Sequence, residues 1–273
     1  MTRTMPLTTA TTTSADGTRI AYEVRGTGPA LVLVDGAMCQ RSMGPSRGLA
    51  EQLASRFTVY AYDRRGRGES GPGASPYAAA REVEDLLAVL AAAGPTAHVF
   101  GSSSGATLAL EAARAGAPID RLAVYESPFI VDDTHAPNDP RLPEVVRELV
   151  AEGRRGAAVR TFLRTVGAPA PVVAAMRFTP VWKKLTAVAH TLPYDLSIVV
   201  GHQQGQPLPA GYYDGVRCPT LVIAGAKSPA YMRHAQAAIA ESVPDARLET
   251  LPGQTHMIKP KVVAPVVAAF LTD

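Results

Sequence analysis

The 273-residue chain is 47% hydrophobic and 19% charged, a composition typical of a folded globular protein rather than of a disordered or membrane-embedded one. Its net charge is only +3, and its basic residues are interspersed with acidic ones, so we expect neither nucleic acid nor a membrane as a partner. Two cysteines, Cys39 and Cys218, are too few for a disulfide framework, which predicts a reducing, cytoplasmic location.

The N-terminal segment, residues 1–14, is rich in threonine and lacks the apolar stretch of a secretory signal, so we expect a flexible tail. Residues 19–24 alternate between polar and apolar side chains, which predicts a strand. The run at 30–34 is entirely apolar, which is typical of a strand buried on both faces of a parallel sheet. It leads into residues 35–38, Asp-Gly-Ala-Met, a loop in which the glycine lets the backbone pass close to a ligand.

A second apolar strand is predicted at 57–62, followed by the loop at 63–70, Asp-Arg-Arg-Gly-Arg-Gly-Glu-Ser. Its arginines could form an anion site, but the glycines mark a tight loop, and we expect the charges to brace that loop. On either side of this strand and loop, the spacing of apolar residues predicts helices at 45–55 and 77–93.

The segment at 97–106 combines an apolar strand, the motif Gly-x-Ser-x-Gly and an alanine-rich helix. In that context the central residue, Ser103, is expected on a strained strand-to-helix turn that exposes its hydroxyl. Gly101 and Gly105 are required because a Cβ at either position would collide across the turn. The spacing therefore selects Ser103 from three adjacent serines as a nucleophile, and the backbone N–H of Ser104 as a donor to an oxyanion.

The next predicted strand, residues 120–125, places Glu126 at its carboxyl end. Alternating strands and helices predict an α/β fold with a doubly wound, mostly parallel sheet and right-handed crossovers. Ligands of such sheets bind at the carboxyl ends of the strands. Because Ser103 and Glu126 both lie at that edge, we expect the functional site there.

Strand signals stop in residues 132–216, where short helical segments are interrupted by prolines. We interpret this region as a helical lid inserted into a core domain formed by residues 1–131 and 217–273. The lid carries apolar side chains, and some of them should face Ser103 and make the pocket apolar.

Strand signals resume at 220–225 and 246–251, with helices predicted at 229–242 and 262–271. A serine hydroxyl is a poor nucleophile near neutral pH and needs a base within hydrogen-bond reach. His256 has the right setting, because it follows the last strand in a glycine-containing loop. The other histidines lie inside a strand, on a surface helix or in the lid: His98, His135, His190, His202 and His234.

Four short motifs together resemble the α/β-hydrolase superfamily: Asp-Gly at 35–36, Arg-Gly-x-Gly-x-Ser at 65–70, Gly-x-Ser-x-Gly at 101–105 and Gly-x-x-His at 253–256. The resemblance covers both sheet segments. It implies that the oxyanion donors are the N–H groups of Ser104 and Ala37, with Gly36 as the alternative to Ala37. The family usually places the acid of its triad after the strand at 220–225, but residues 226–229 here are Ala-Lys-Ser-Pro.

The missing acid favours Glu126, whose strand lies one position nearer the nucleophile and only about 4.8 Å from its neighbour. This layout resembles that of the lactonases that open the macrocycle of zearalenone. The matching positions are Ser103, Glu126, His256 and Val181-Trp182. Asp132 and Asp133 are alternative acids that lie farther past the strand end, and Glu126 could instead cap local N–H groups.

These features predict a serine hydrolase that works without cofactor or metal and cleaves an ester or lactone of a hydrophobic small molecule. In this hypothesis Ser103 attacks, His256 carries the proton and Glu126 orients His256. Two alternatives stay open: a lyase or cofactor-free perhydrolase on the same fold, and a non-catalytic protein that binds a small molecule. The sequence also leaves open whether the chain forms a homodimer. The residues expected to line the substrate pocket are Gly36, Phe129 and Trp182.

Overall fold

The fold is organised by a single twisted sheet. The structure is a computed structural model, which describes residues 7–73 and 75–273. Within these residues the sheet contains eight strands, which are β1 (Leu7–Thr13), β2 (Arg19–Arg25), β3 (Ala30–Val34), β4 (Thr58–Tyr62), β5 (Ala97–Ser102), β6 (Ile119–Tyr125), β7 (Thr220–Gly225) and β8 (Ala246–Leu251). The continuously apolar strand β3 lies inside the sheet and is buried, as its sequence predicts, and β7 is buried along its whole length.

The strand order is β1-β2-β4-β3-β5-β6-β7-β8. The pairings of β1 with β2 and of β2 with β4 are antiparallel, and the others are parallel. Helices connect the parallel strands and cover both faces, which confirms the doubly wound arrangement. The α-helices of the described residues are α1 (Ser46–Leu53), α2 (Ala79–Ala93), α3 (Ser104–Arg114), α4 (Leu142–Ala151), α5 (Arg155–Thr165), α6 (Ala170–Met176), α7 (Pro180–Ala187), α8 (Leu192–Val199), α9 (Ala230–Ser242) and α10 (Pro260–Thr272).

Two apolar layers hold these helices against the sheet. On one face α1 and α10 contribute buried side chains such as Leu49 and Val267. On the other face α2, α3 and α9 contribute side chains such as Leu86, Leu108 and Ile239. Because both faces are covered, the carboxyl edge of the parallel strands is where the sheet can meet a ligand.

The N-terminal segment differs from the prediction. Residues 7–13 form β1, which pairs along its whole length with β2, from Leu7 opposite Arg25 to Thr13 opposite Arg19. The expectation of a flexible tail over residues 1–14 is therefore wrong for this stretch, and residues 1–6 lie outside the described residues. The physical reason is that threonine is β-branched and favours the extended backbone of a strand.

The inserted region contains helices rather than strands. Among the described residues, five α-helices, α4 to α8, lie between β6 and β7. Their apolar side chains form a third cluster, which also includes Ala37 and Met38 from the loop after β3, so the inserted helices pack on that loop. The role of residues 132–216 as a lid, and the division into core and lid, stay predictions. No helix in the described part of the chain is both long and apolar enough to span a bilayer.

The arginine-rich loop at 63–70 is braced by buried ion pairs, as the sequence predicts. The three arginine side chains are almost completely buried. Each pairs with a carboxylate from a helix, so the loop is fixed to α2 and α8 and its arginines need no bound anion to explain them. The pairs are Arg64 with Glu82 and Asp195, Arg65 with Asp85, and Arg67 with Asp195.

Candidate active site

Ser103 lies at the sharp turn between β5 and α3. Its φ of 55° is in the left-handed region, which is strained for a residue with a side chain. The turn is tight, since a Cβ added to Gly101 would lie 2.7 Å from the carbonyl oxygen of Gly105. A Cβ added to Gly105 would lie 2.3 Å from the carbonyl oxygen of Val34. The steric requirement for both glycines is therefore confirmed, and the turn presents the Ser103 hydroxyl at the carboxyl edge of the sheet.

His256 lies in the loop after β8 and contacts Ser103. Its Nε2 atom is 3.2 Å from the Ser103 Oγ atom. The preceding residue is held in place, because the Tyr125 hydroxyl donates a hydrogen bond of 2.6 Å to the Thr255 carbonyl. The His256 side chain is 38% exposed, so solvent or a ligand can reach the imidazole from one side.

Glu126 follows the last residue of β6 and hydrogen-bonds the side of the His256 ring that faces away from Ser103. Its Oε2 atom is 2.9 Å from His256 Nδ1, and its Oε1 atom accepts a hydrogen bond of 2.7 Å from the N–H of Gly225. The Glu126 side chain is fully buried, and its φ of 49° is also left-handed. The carboxylate thus fixes the imidazole orientation with Nδ1–H donating, which leaves Nε2 to accept from the serine hydroxyl.

The alternative acids lie elsewhere. The Asp132 carboxylate is engaged by Thr134 and by His234 on α9, and Asp133 is exposed. Neither is hydrogen-bonded to His256 within the described residues. The structure therefore brings together Ser103, His256 and Glu126, and their catalytic roles stay a prediction.

The backbone next to Ser103 supplies two hydrogen-bond donors. Gly36 is so close that an added Cβ would lie 2.8 Å from the Ser103 Cβ and 3.4 Å from its Oγ. The N–H groups of Ala37 and Ser104, the predicted oxyanion donors, are not bonded to any backbone carbonyl in the described ranges. Both are thus available to a ligand atom bound beside the serine.

The three predicted pocket residues have different surroundings. Gly36 lies against Ser103. Trp182, on α7, is half-buried and packs in the same apolar cluster as Ala37. Phe129 is completely buried and stacks on His202, with 4.2 Å between the ring centroids, so its ring offers no surface to a ligand in this structure.

The remaining histidines are engaged away from Ser103. His98 is buried in β5, with its ring edge-on to that of Phe57. His190 hydrogen-bonds the carbonyl of Gly66, and His234 pairs with Asp132. None of these three imidazoles is hydrogen-bonded to Ser103 within the described residues.

Two buried acidic groups lie beside the loop after β3. Burial raises the pKa of the Asp35 carboxyl to about 6, although a hydrogen bond with Ser46 and the charges of Arg67 and Arg64 act in the opposite direction. Burial also raises the pKa of the Cys39 thiol to about 12. Since the thiolate is the reactive form of cysteine, Cys39 is a poor candidate for a nucleophile.

A cavity of about 340 Å³ lies between β1, β2 and the arginine-rich loop. It is lined by charged side chains, including Arg25, Arg41 and Glu69, and Ser103 does not contribute to it. Arg41 is already paired with Asp63 and Glu69. This cavity therefore has no part in the chemistry of the serine.

Sequence reasoning missed the polar residues that support the site. Asp195 is buried in α8 and accepts a hydrogen bond of 2.7 Å from the Ser104 hydroxyl. A signal was present, because Asp195 is the single charged residue of a mostly apolar helix, Leu192–Val199. The contribution of Gly225 was not foreseeable, since it is a backbone N–H and depends on the register of β6 and β7.

Comparison with known proteins places this geometry in a family. The model of the alpha/beta hydrolase family matches residues 36–266. A crystal structure of an alpha/beta hydrolase from Sphaerobacter thermophilus is 48% identical, covers 96% of this chain and 100% of its own, and superposes with a TM-score of 0.87. Both the sequence and the fold are thus shared over almost the whole chain.

Two curated proteins match shorter stretches. The uncharacterized hydrolase YraK of Bacillus subtilis is 28% identical over 156 residues, which are 56% of this chain and 56% of that protein. The N-formylmaleamate deformylase of Pseudomonas putida is 38% identical over 120 residues, which are 42% of this chain and 44% of that protein. The chain therefore spans about half the length of the curated relatives that it matches.

Proposed function

Because the chain belongs to the alpha/beta hydrolase family, we propose that it is a serine hydrolase that cleaves a carboxylic ester or lactone of a hydrophobic small molecule. One observation carries the proposal: the His256 ring has Nε2 3.2 Å from Ser103 Oγ and Nδ1 2.9 Å from Glu126 Oε2. A nucleophile, a base and an acid in these positions are what acyl transfer to serine requires.

The reaction begins when His256 Nε2 takes the hydroxyl proton of Ser103 and the Oγ atom attacks the carbonyl carbon of the substrate. The imidazolium that forms is stabilised by the buried carboxylate of Glu126. The developing oxyanion accepts hydrogen bonds from the N–H groups of Ala37 and Ser104. His256 then gives its proton to the leaving alkoxide, and an acyl group remains on Ser103.

Water completes the cycle. His256 deprotonates a water molecule, which attacks the acyl-serine carbonyl and forms a second tetrahedral intermediate. When this collapses, the Ser103 oxygen leaves with the proton from His256, and the carboxylic acid is released. In a lactone the alkoxide and the acid belong to one molecule, so the product is a hydroxy acid. The overall reaction consumes only the substrate and one water molecule, and no step requires a metal or cofactor.

The apolar cluster of the inserted helices supports a hydrophobic substrate. Ala37 and Met38, which follow Gly36, pack in one cluster with side chains of α4, α5 and α8 and with Trp182 of α7. A substrate whose carbonyl lies between Ser103 and Ala37 would extend its body toward this apolar surface.

The proposal is tested by replacing the nucleophile. Wild type and Ser103→Ala would be assayed with aliphatic esters, aryl esters and macrolactones, and with N-formyl amides because one relative is a deformylase. We expect Ser103→Ala to lose at least three orders of magnitude in kcat, since the residual rate comes from binding and the oxyanion donors alone. The neighbouring Ser102→Ala is the matched control and should stay within a few-fold of wild type.

A fluorophosphonate probe separates this proposal from the alternatives. Labelling of Ser103, located by mass spectrometry, supports a serine hydrolase. Full ester hydrolysis by Ser103→Ala would contradict it. Labelling without hydrolysis of any ester, lactone or amide would favour a lyase or perhydrolase, and the absence of both labelling and turnover would favour a binding protein.

A further inference from the structure

A cluster of buried charges is hydrogen-bonded to Gly36, which precedes one of the proposed oxyanion donors, and to Ser104, which carries the other. It consists of Arg67 and Arg64 from the loop after β4, Asp195 from α8 and the hydroxyl of Ser104, and we call it the charge brace. Asp195 Oδ2 is 2.6 Å from Arg67 Nη2, and Asp195 Oδ1 is 2.7 Å from Arg64 Nη1. All three charged side chains are at most 2% exposed. Buried charges are costly, and each guanidinium here pairs with a carboxylate, although the Arg67 Nε atom has no hydrogen-bond partner among the described residues.

Arg67 also holds the peptide that carries one oxyanion donor. Its Nη1 atom donates a hydrogen bond of 2.7 Å to the carbonyl of Gly36, and another of 3.2 Å to that of Cys39. In a trans peptide the carbonyl and the N–H point in opposite directions. The Gly36 carbonyl and the Ala37 N–H belong to the same peptide, so fixing the carbonyl on Arg67 aims the Ala37 N–H away from Arg67.

That peptide lies next to the nucleophile. Gly36 lies against Ser103, as the 2.8 Å between an added Cβ and the Ser103 Cβ shows. Arg67 therefore holds a peptide that is adjacent to the serine. A hydrogen bond to a cationic guanidinium also polarises the peptide and makes its N–H a better donor.

The second donor is held by the same cluster. The Ser104 hydroxyl donates to Asp195 Oδ1 at 2.7 Å and accepts from Arg64 Nη1 at 3.2 Å. Arg64 Nη1 also lies 3.2 Å from the carbonyl of Asp35, the residue before Gly36. Asp195 thus contacts both arginines and Ser104, and it comes from the inserted helices rather than from the sheet.

The two arginines keep the Asp195 carboxyl ionised. Burial alone would raise the pKa of Asp195, but the charges of Arg67 and Arg64 outweigh it and the pKa lies below its ordinary value. Asp195 therefore remains an anion between two cations wherever the protein is folded near neutral pH.

We propose that Arg67 and Asp195 are positioning residues that set the oxyanion hole, and that α8 is coupled to catalysis through them. This inference rests on the proposed serine-hydrolase function. Arg67 orients the Ala37 N–H, Asp195 fixes Arg67 and the Ser104 side chain, and neither touches the substrate. A shift of α8 would consequently change the stabilisation of the oxyanion without moving Ser103, His256 or Glu126.

The same loop provides a matched control. Arg65 is as buried as Arg67 and pairs with Asp85 at 2.7 Å and with Asp16 at 2.9 Å, but its hydrogen bonds reach α2 and Asp16 rather than the loop after β3. Removing Arg65 would take a cationic partner from the buried carboxylate of Asp85, just as removing Arg67 would take one of two from Asp195, which keeps Arg64. The two variants should therefore share the loss of stability and differ in catalysis.

The experiment measures kcat and KM of Arg67→Met, Arg67→Lys, Asp195→Asn and Arg65→Met in the full chain, normalised to folded protein by circular dichroism. It also measures inhibition by an aryl trifluoromethyl ketone, whose adduct with serine carries an oxyanion. For Arg67→Met we expect kcat to fall on the order of 10²-fold, with KM changed by less than about threefold and inhibitor affinity reduced in parallel. Arg67→Lys should recover part of the loss, because it restores a cationic donor.

Asp195→Asn keeps the size of the side chain. It tests the same inference if Arg67→Met does not fold. It should lose kcat by about tenfold and inhibitor affinity in proportion. Arg65→Met should keep its kcat per folded molecule. This inference would be overturned, and the proposed function left standing, by either of two results. One is a wild-type kcat in folded Arg67→Met and Asp195→Asn, and the other is a loss of kcat in Arg65→Met equal to that in Arg67→Met. A wild type that hydrolyses nothing and takes no fluorophosphonate would overturn the proposed function, and this inference with it.

Discussion

The Oε1 atom of Glu126 accepts a hydrogen bond of 2.7 Å from the backbone N–H of Gly225. Gly225 is the last residue of β7, and the loop that follows it carries no acid. The end of β7 therefore contributes a backbone donor to the site, and the carboxylate comes from the end of β6. Although the acid follows β6 and not β7, the His256 imidazole still contacts a buried carboxylate.

Glu126→Gln tests that carboxylate. The amide is similar in shape, but its NH₂ group cannot stabilise the imidazolium, and it can hold His256 in the wrong tautomer. We expect kcat/KM for an ester to fall by roughly 10²- to 10⁴-fold. Asp132→Asn is the control and should retain activity, because its partners are Thr134 and His234. The opposite pattern would transfer the acid role to Asp132.

The sequence predicts the framework of the site because that framework depends on local patterns. Gly101 and Gly105 predict a tight turn, and apolar runs predict strands that are buried on both faces. Together they place Ser103 and Glu126 at one edge of the sheet. The position of His256 follows in the same way, from a strand end and a glycine loop.

Other features could not be predicted because they depend on contacts between distant segments. The threonines at residues 7–13 resemble a polar tail, and only pairing with β2 makes them a strand. Asp195 is separated from Arg67 by 128 positions, and the sequence does not show that α8 folds back on the arginine-rich loop. The packing of Trp182 in the same apolar cluster as Ala37 and Met38 has the same long-range origin.

Gly105→Ala tests the close approach of α3 to β3. The added Cβ would lie 2.3 Å from the carbonyl oxygen of Val34 and 2.6 Å from that of Asp35, and neither backbone atom can move easily. We expect a loss of about 2–3 kcal/mol in the free energy of unfolding, measured with urea. Gly201→Ala is the control, because nothing lies within 4 Å of its added Cβ. Equal stability of the two variants would contradict the packing described here.

Asp35 makes a specific contribution to the pH dependence of stability. Its pKa is about 6 in the folded protein, above the ordinary aspartate value of 3.8, so between these two pH values the folded state binds more protons than the unfolded state. Stability should then decrease as pH rises through this window, by about 3 kcal/mol in total, since one pKa unit corresponds to about 1.4 kcal/mol.

Asp35→Asn removes this dependence and tests it. Urea unfolding at several pH values between 4 and 7 should show wild type losing stability relative to Asp35→Asn as the pH rises. The exposed Asp133→Asn variant should follow the wild-type curve. Parallel curves for wild type and Asp35→Asn would show that this carboxyl does not titrate in the window.

Trp182→Ala tests whether the inserted helices form the apolar side of the substrate pocket. The ring packs in the cluster that contains Ala37 and Met38, so its removal should leave a gap beside the acyl or alcohol part of a bulky substrate. We expect kcat/KM to fall about tenfold or more for bulky aryl esters and macrolactones, and to change little for a short acetate ester. Phe178→Ala is the matched control, because that ring is 89% exposed and its loss should affect neither substrate. If Trp182→Ala lowered the rates for acetate and for bulky esters equally, the ring would act on the catalytic loop rather than on the substrate.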